Sequence, residues 1–198
     1  LLLFIILTLM FHKEATAFFN SALSIITTGT GWFLILAANM FIIAALYFAF
    51  SRFGDIRIGG KDAKPEFSTL AWFAMLLSAG MGIGLMFWSV GEPMYHYMSP
   101  SPMFNGVQGG SPEAAQAAMG VTYFHWGLHP WACYAVVAML LAYSQFRKGN
   151  PALLSWILEP LIGKERVQGP IGKAIDSLAV IVTLFGVATS LGLGAMQV

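Results

Sequence analysis

The sequence predicts an all-α integral membrane protein. Three observations carry this: 58% of the 198 residues are hydrophobic and only 10% are charged; several long stretches contain no charged residue; and the basic residues gather in alternate connections between those stretches. A soluble domain carries about a quarter of its residues as Asp, Glu, Lys or Arg. So few charges do not cover a water-soluble body of this length, and lipid is the solvent, and the partner, that the composition suits. A net charge of +1 gives no electrostatic case for nucleic acid. The single cysteine, Cys133, excludes an internal disulfide framework and reads as packing in its apolar setting.

A spanning helix needs about 20 mostly apolar residues. The stretches 32–50, 67–91, 119–145 and 177–198 qualify, and 1–11 reads as the tail of a further spanning helix rather than as a signal peptide. Both ends of the sequence are expected to cut through a span. Segment 1–65 then holds two transmembrane helices and a basic loop, and 66–198 holds three more.

The connections set the orientation. Arg52, Arg57, Lys61 and Lys64 lie between the second and third spans, and Arg147, Lys148, Lys164, Arg166 and Lys173 between the fourth and fifth; the other two connections hold only Lys13. Cytoplasmic loops carry excess Lys and Arg, so both basic connections are expected inside and the 99–118 loop outside. That loop is Pro- and Gly-rich turn chemistry, and Pro112-Glu113 suits the first turn of the fourth span. Segment 151–162, preceded by Asn150 as a cap and followed by Gly163, reads as one helix lying on the inner membrane surface or packed beneath the bundle.

The third span contains Gly80-Met81-Gly82-Ile83-Gly84. Each glycine costs about 1 kcal/mol against alanine in a helix, and three at alternate positions predict local unwinding. Unwound backbone at membrane depth is tolerated where protein buries it or a cavity needs it, and its carbonyls suit Na⁺. Close helix packing is the competing account, weakened because glycines two apart lie on opposed faces. Glu92-Pro93 is expected to end this helix, with an outer vestibule carboxylate as the other use. In the fifth span Gly186, Ser190 and Gly194 form a small-residue face for helix contact; Thr183 and Thr189 can bond their own backbone one turn back.

The fourth span reads Tyr123-Phe124-His125-Trp126-Gly127-Leu128-His129-Pro130-Trp131-Ala132-Cys133-Tyr134. An interfacial aromatic belt is one account. But Trp126, Trp131 and Tyr134 extend over about 12 Å at 1.5 Å per residue, which carries them inward. Aromatic faces hold a quaternary ammonium by cation–π attraction, about 2 kcal/mol per desolvated contact. Gly127 and Pro130 are expected to kink the helix and converge the rings. His125 and His129, four apart, face one way and raise a rival class, a metal- or haem-binding membrane enzyme; a hydrogen-bonded structural histidine at the kink is the plainer use. An inert helical scaffold is a third.

With those residues in view, the chain resembles the betaine/carnitine/choline transporter (BCCT) family. The resemblance rests on Gly80-Met81-Gly82-Ile83-Gly84-Leu85-Met86-Phe87, Glu92-Pro93, Phe124-His125-Trp126, Leu128-His129-Pro130-Trp131, Pro160-Leu161-Ile162-Gly163 and Ser190-Leu191-Gly192-Leu193-Gly194, in the family's order. It implies the N-terminal half of a twelve-helix, inverted-repeat (LeuT-like) transporter, not an enzyme, with 66–198 forming the first three helices of the first repeat. It also implies a homotrimer in the bacterial inner membrane, a small quaternary ammonium substrate, no cofactor, and Na⁺ as coupling ion. Trp126, Trp131 and Tyr134 fall on the family's aromatic box, with Gly82 and Gly84 beside the substrate. Ser78 and Met81 fall on one sodium site and Thr183 on a second; Val187 stands where the family pairs a threonine, which leaves the stoichiometry open. Glycine at 84 goes with betaine and aspartate with choline, so the resemblance implies sodium symport of glycine betaine or a related zwitterionic osmolyte, with proton-coupled choline or carnitine transport as the alternative. The glycine motif argues against sodium-independent exchange, and this stretch alone is expected not to transport.

Overall fold

The structure is a computed structural model that describes residues 2–60, 62–80 and 82–196. Among these residues all regular structure is helical: α1 (Leu2–Met10), α2 (His12–Phe50), α3 (Thr69–Gly80), α4 (Ile83–Met98), α5 (Pro112–Trp126), α6 (Leu128–Ala142), α7 (Leu154–Ile157), α8 (Glu159–Ile162), α9 (Lys164–Gln168) and α10 (Pro170–Ala195). A π-helical turn at Tyr143–Arg147 prolongs α6. Three helical stretches are long and apolar enough to cross a membrane, namely α2, α5 with α6, and α10; the bent pair α3–α4 makes a fourth.

The chain exposes 15230 Å², whereas a compact soluble protein of 21.5 kDa exposes about 9,200 Å². Neither α2 nor α3 buries a single residue, and most of their large apolar side chains are exposed. Water does not tolerate an apolar surface of this extent; lipid and neighbouring membrane helices do. The small core consists of Ala114, Ala117, Ala118, Ala132, Val136, Trp156 and Val167. The alanines of α5 recur at i, i+3 and i+4, one face of a helix, and let α4 pack closely; α6 packs on α2 and α10 on α4.

The second span departs from its predicted start. Residues 12–31 are no connection, since α2 begins at His12 and runs 39 residues, about 58 Å against a hydrocarbon core of about 30 Å. The hydroxyls near Gly29 and Gly31 do not break it because they bond back within the helix: Thr27 Oγ1 donates to the Leu23 carbonyl at 2.9 Å and Thr30 Oγ1 to Ile26 at 2.7 Å. The turn is at Phe11 alone (φ −117°, ψ 49°). There the chain doubles back, since the Phe4 and Phe19 rings lie 6.4 Å apart where a straight helix would separate them by about 22 Å.

The other boundaries have local causes. Ser68 Oγ accepts the Ala71 N–H at 3.2 Å and starts α3. Ser111 Oγ accepts the Ala114 N–H at 3.1 Å, with Pro112 in the first turn, as the sequence indicates for α5. Helix α4 does not stop at Glu92-Pro93 but continues to Met98 with Pro93 inside it; one missing N–H does not outweigh the packing of α4 on α5. Beyond it, Tyr97 and Gly110 close the 99–111 loop by exchanging bonds: the Gly110 N–H donates to the Tyr97 carbonyl at 3.0 Å, and the Tyr97 hydroxyl to the Gly110 carbonyl at 2.7 Å.

Segment 151–162 is two single-turn helices, α7 and α8, rather than one helix. Asn150 is not their cap: its Nδ2 donates to Ser144 Oγ and Glu159 Oε2, both at 3.2 Å. The cap comes from α10, where Asp176 accepts the Ser155 N–H at 2.9 Å and the Ser155 hydroxyl at 2.7 Å. Lys173 belongs to the first turn of α10, which starts at Pro170. The two basic connections meet, since Arg147 Nη1 donates to the Arg57 carbonyl at 3.2 Å, so they lie on one side of the bundle, as the charge pattern requires. Nothing lies within 4 Å of a side chain added at Gly186, so at that glycine the small-residue face of α10 is open. Asp176→Ala is expected to strand both Ser155 donors and lower stability by about 1 to 3 kcal/mol, read as a lower melting temperature of the purified protein.

Candidate functional site: two interrupted helices

The glycine run breaks the third span as its composition predicts. Between 80 and 84 the two helical segments turn by 54°. Gly82 is the extended residue before α4 (φ −76°, ψ 177°), and its carbonyl accepts the Met86 N–H at 3.2 Å. A Cβ at Gly82 or Gly84 would meet nothing within 4 Å, so the broken segment borders open space. At Gly80 a Cβ would come within 2.9 Å of Trp131 Cη2. Glycine at 80 is therefore what lets the Trp131 ring rest against the end of α3. Ser78 is exposed on α3 just before the break; Met81 lies outside the described residues.

The fourth span is also interrupted, at Gly127 (φ −84°, ψ −138°). A side chain there would collide with the Tyr123 carbonyl. Pro130 sits in the first turn of α6, where a missing N–H costs nothing because it has no intrahelical partner. The Trp126 carbonyl, at the end of α5, accepts the Trp131 indole N–H at 3.1 Å. Trp131 and Tyr134 pair with ring centroids 6.0 Å apart and a 50° tilt. These two rings thus stand together beside the Gly80 break, whereas Trp126 turns its indole toward α4.

There it meets Glu92. One carboxylate oxygen accepts the Trp126 indole N–H and the other accepts from His125 Nδ1. His96 Nε2, one turn on along α4, is 3.7 Å from the second oxygen. The Glu92 side chain is only 12% exposed. The sequence carries a signal for this residue beyond a helix stop: Glu92 is the sole Asp, Glu, Lys or Arg between 67 and 112, and an ionisable side chain at membrane depth is expensive enough to imply a role. His125 and His129 do not form a facing pair, because the Gly127 break puts them on different helices. His129 instead packs on Phe124, with centroids 4.4 Å apart.

Thr183 lies on α10, where its hydroxyl donates to the Ala179 carbonyl at 2.8 Å, and Thr189 does the same to Phe185 at 2.9 Å. Val187, one turn beyond Thr183, is exposed.

Long lipid-suited helices, two of them interrupted around glycine, define a multi-pass membrane protein. The chain belongs to the betaine/carnitine/choline transporter (BCCT) family, whose sequence profile matches residues 1–198. It is 49% identical over 197 residues to a probable glycine betaine transporter of Desulfitobacterium hafniense, covering 100% of this chain and 39% of that protein. It is 51% identical over 179 residues to the glycine betaine transporter OpuD of Bacillus subtilis (90% and 34%). To an osmo-dependent choline transporter of Acinetobacter baylyi it is 42% identical over 197 residues (100% and 28%). The chain thus spans about a third of the length of these relatives, and they are transporters, not enzymes.

Glu92→Ala is expected to leave the Trp126 and His125 donors unpaired between α4 and α5. The expected cost is about 2 to 6 kcal/mol, at 1 to 3 for each stranded group, measured as a lower unfolding midpoint of the full-length protein.

Proposed function

We propose that the full-length protein is a sodium symporter of glycine betaine, or of a related zwitterionic quaternary ammonium or sulfonium osmolyte, working by alternating access in a bacterial inner membrane. In this reading it has twelve helices in two inverted repeats and assembles as a homotrimer. The observation that carries the proposal is the Trp131 ring resting on Gly80, with Tyr134 beside it, at the broken third span. A quaternary ammonium offers no ordinary N–H to hydrogen-bond, so ring faces suit it better than carboxylates. A zwitterion brings its own negative group, so no carboxylate is needed at 84.

Trp126 joins the box if its indole swings from Glu92 toward Trp131 when substrate binds. The carbonyls near Ser78 and Met81 supply one sodium site, completed by helices beyond this chain; Thr183 contributes to a second after releasing its bond to Ala179. Sodium bound to the broken segment would fix the backbone against which Trp131 rests, and thereby raise substrate affinity. By reciprocity substrate would tighten sodium. The names of two relatives, both glycine betaine transporters, support the substrate class.

A second reading is proton-coupled choline or carnitine transport, and the name of the choline transporter relative supports choline as its substrate. Uptake of labelled glycine betaine by the full-length protein in vesicles separates the two. Sodium-driven uptake with a half-saturation raised about 30-fold by Trp131→Leu, the equivalent of about 2 kcal/mol, is the expected result. Betaine uptake indifferent to sodium would sink the coupling, and choline uptake driven by a proton gradient would establish the second reading. Gly84→Asp is expected to shift preference toward choline, read as a reversed ratio of choline to betaine uptake.

A further inference from the structure

We propose that Glu92, His96 and His125 form a binding site for a first-row divalent transition-metal ion, Zn²⁺ being the natural probe, on the face where α4 meets α5. One ligand atom from each of the three lies within 4.8 Å of the others. Zinc bound by imidazole nitrogen and carboxylate oxygen at about 2.0 to 2.2 Å sets its ligands roughly 3.3 Å apart. The 3.7 Å between His96 Nε2 and Glu92 Oε1 is close to that spacing. The His125–Glu92 contact is shorter and opens when an ion takes the place of the shared hydrogen, whose proton passes to solvent.

The three residues are placed for this by helix geometry. Glu92 and His96 are four apart on α4 and share its face, and His125 comes from the last turn of α5 opposite. His96 is aimed at Glu92 without bonding to it. Its Nε2 faces Glu92 Oε1 from 3.7 Å, beyond hydrogen-bonding distance. A histidine aimed at a carboxylate that it does not bond gains most from an ion placed between them. The Trp126 indole N–H holds the other Glu92 oxygen and so orients the carboxylate, the usual outer-shell role in metal sites.

Two imidazoles and one carboxylate select against Na⁺, Mg²⁺ and Ca²⁺, which prefer all-oxygen sets, and suit zinc and its neighbours. Three protein ligands leave a fourth position for water, and the half-exposed His125 gives access from the side. An occupied site would fasten α4 to α5 below the 99–111 loop. It is separate from the Trp131–Tyr134 pair, and Trp126 is the residue that the two sites share.

The test is titration of Zn²⁺ into the chelator-stripped full-length protein in detergent, followed by calorimetry and by tryptophan emission, with Co²⁺ as a spectroscopic substitute. The expected result is a single ion per chain, a change in emission from Trp126 beside the site, and a Co²⁺ spectrum of low-coordinate nitrogen and oxygen ligation. His96→Gln leaves the Glu92 bonds to His125 and Trp126 in place. It is expected to keep the metal-free melting temperature while weakening binding at least 10-fold, and His125→Gln is expected to weaken it as well. Absence of binding by the folded protein, or binding unchanged in both variants, overturns the proposal.

Discussion

A helix interrupted inside a membrane frees backbone groups that have no water to bond, and that constraint organises this chain. Both interruptions, at 80–82 and at Gly127, face it together. Trp131 answers it at one and abuts the other: its indole N–H takes the carbonyl of Trp126 at the end of α5, while the far edge of its ring lies on Gly80 at the end of α3. The position of an aromatic side chain is thereby tied to the state of a broken helix.

The remaining ties place those two helices. On one side of the bundle the basic connections touch through Arg147 and the Arg57 carbonyl, and Asp176 of α10 pins α7 through Ser155. At the other end Tyr97 and Gly110 fold the 99–111 loop against α4. Between these ends the contact of α4 with α5 rests on small alanines and on one polar hub, Glu92. The α6–α2 and α10–α4 contacts complete the bundle, and much of the remaining described surface is apolar and exposed.

Much of this was legible in the sequence. The spans follow from uncharged runs, and the break at 80–82 from glycines at alternate positions. The shared side of the basic loops follows from the spacing of Arg and Lys. What was illegible involved local signals overridden by bonding or packing. Thr27, Thr30 and the nearby glycines look like a connection, but their hydroxyls bond within α2. Pro93 looks like a helix stop, yet the packing of α5 holds α4 together despite the lost backbone bond and the crowding of the preceding turn by the ring. Asn150 looks like a cap, but Glu159 and Ser144 take its side chain. His125 and His129 look like a pair only on an unbroken helix, and Gly127 removes that premise. The role of Glu92 needed the third dimension, since its partners are more than thirty residues away.

The central claim is that the Gly80–Trp131 contact links the broken helix to substrate recognition. The most direct test is titration of glycine betaine against the full-length protein with and without sodium, followed by tryptophan emission, for the native sequence and for Gly80→Ala. The account predicts that sodium tightens betaine binding in the native protein. In Gly80→Ala the added methyl displaces the Trp131 ring, so betaine affinity falls at least 10-fold and its response to sodium disappears while the melting temperature holds. Equal affinity and an unchanged sodium response in Gly80→Ala would contradict it.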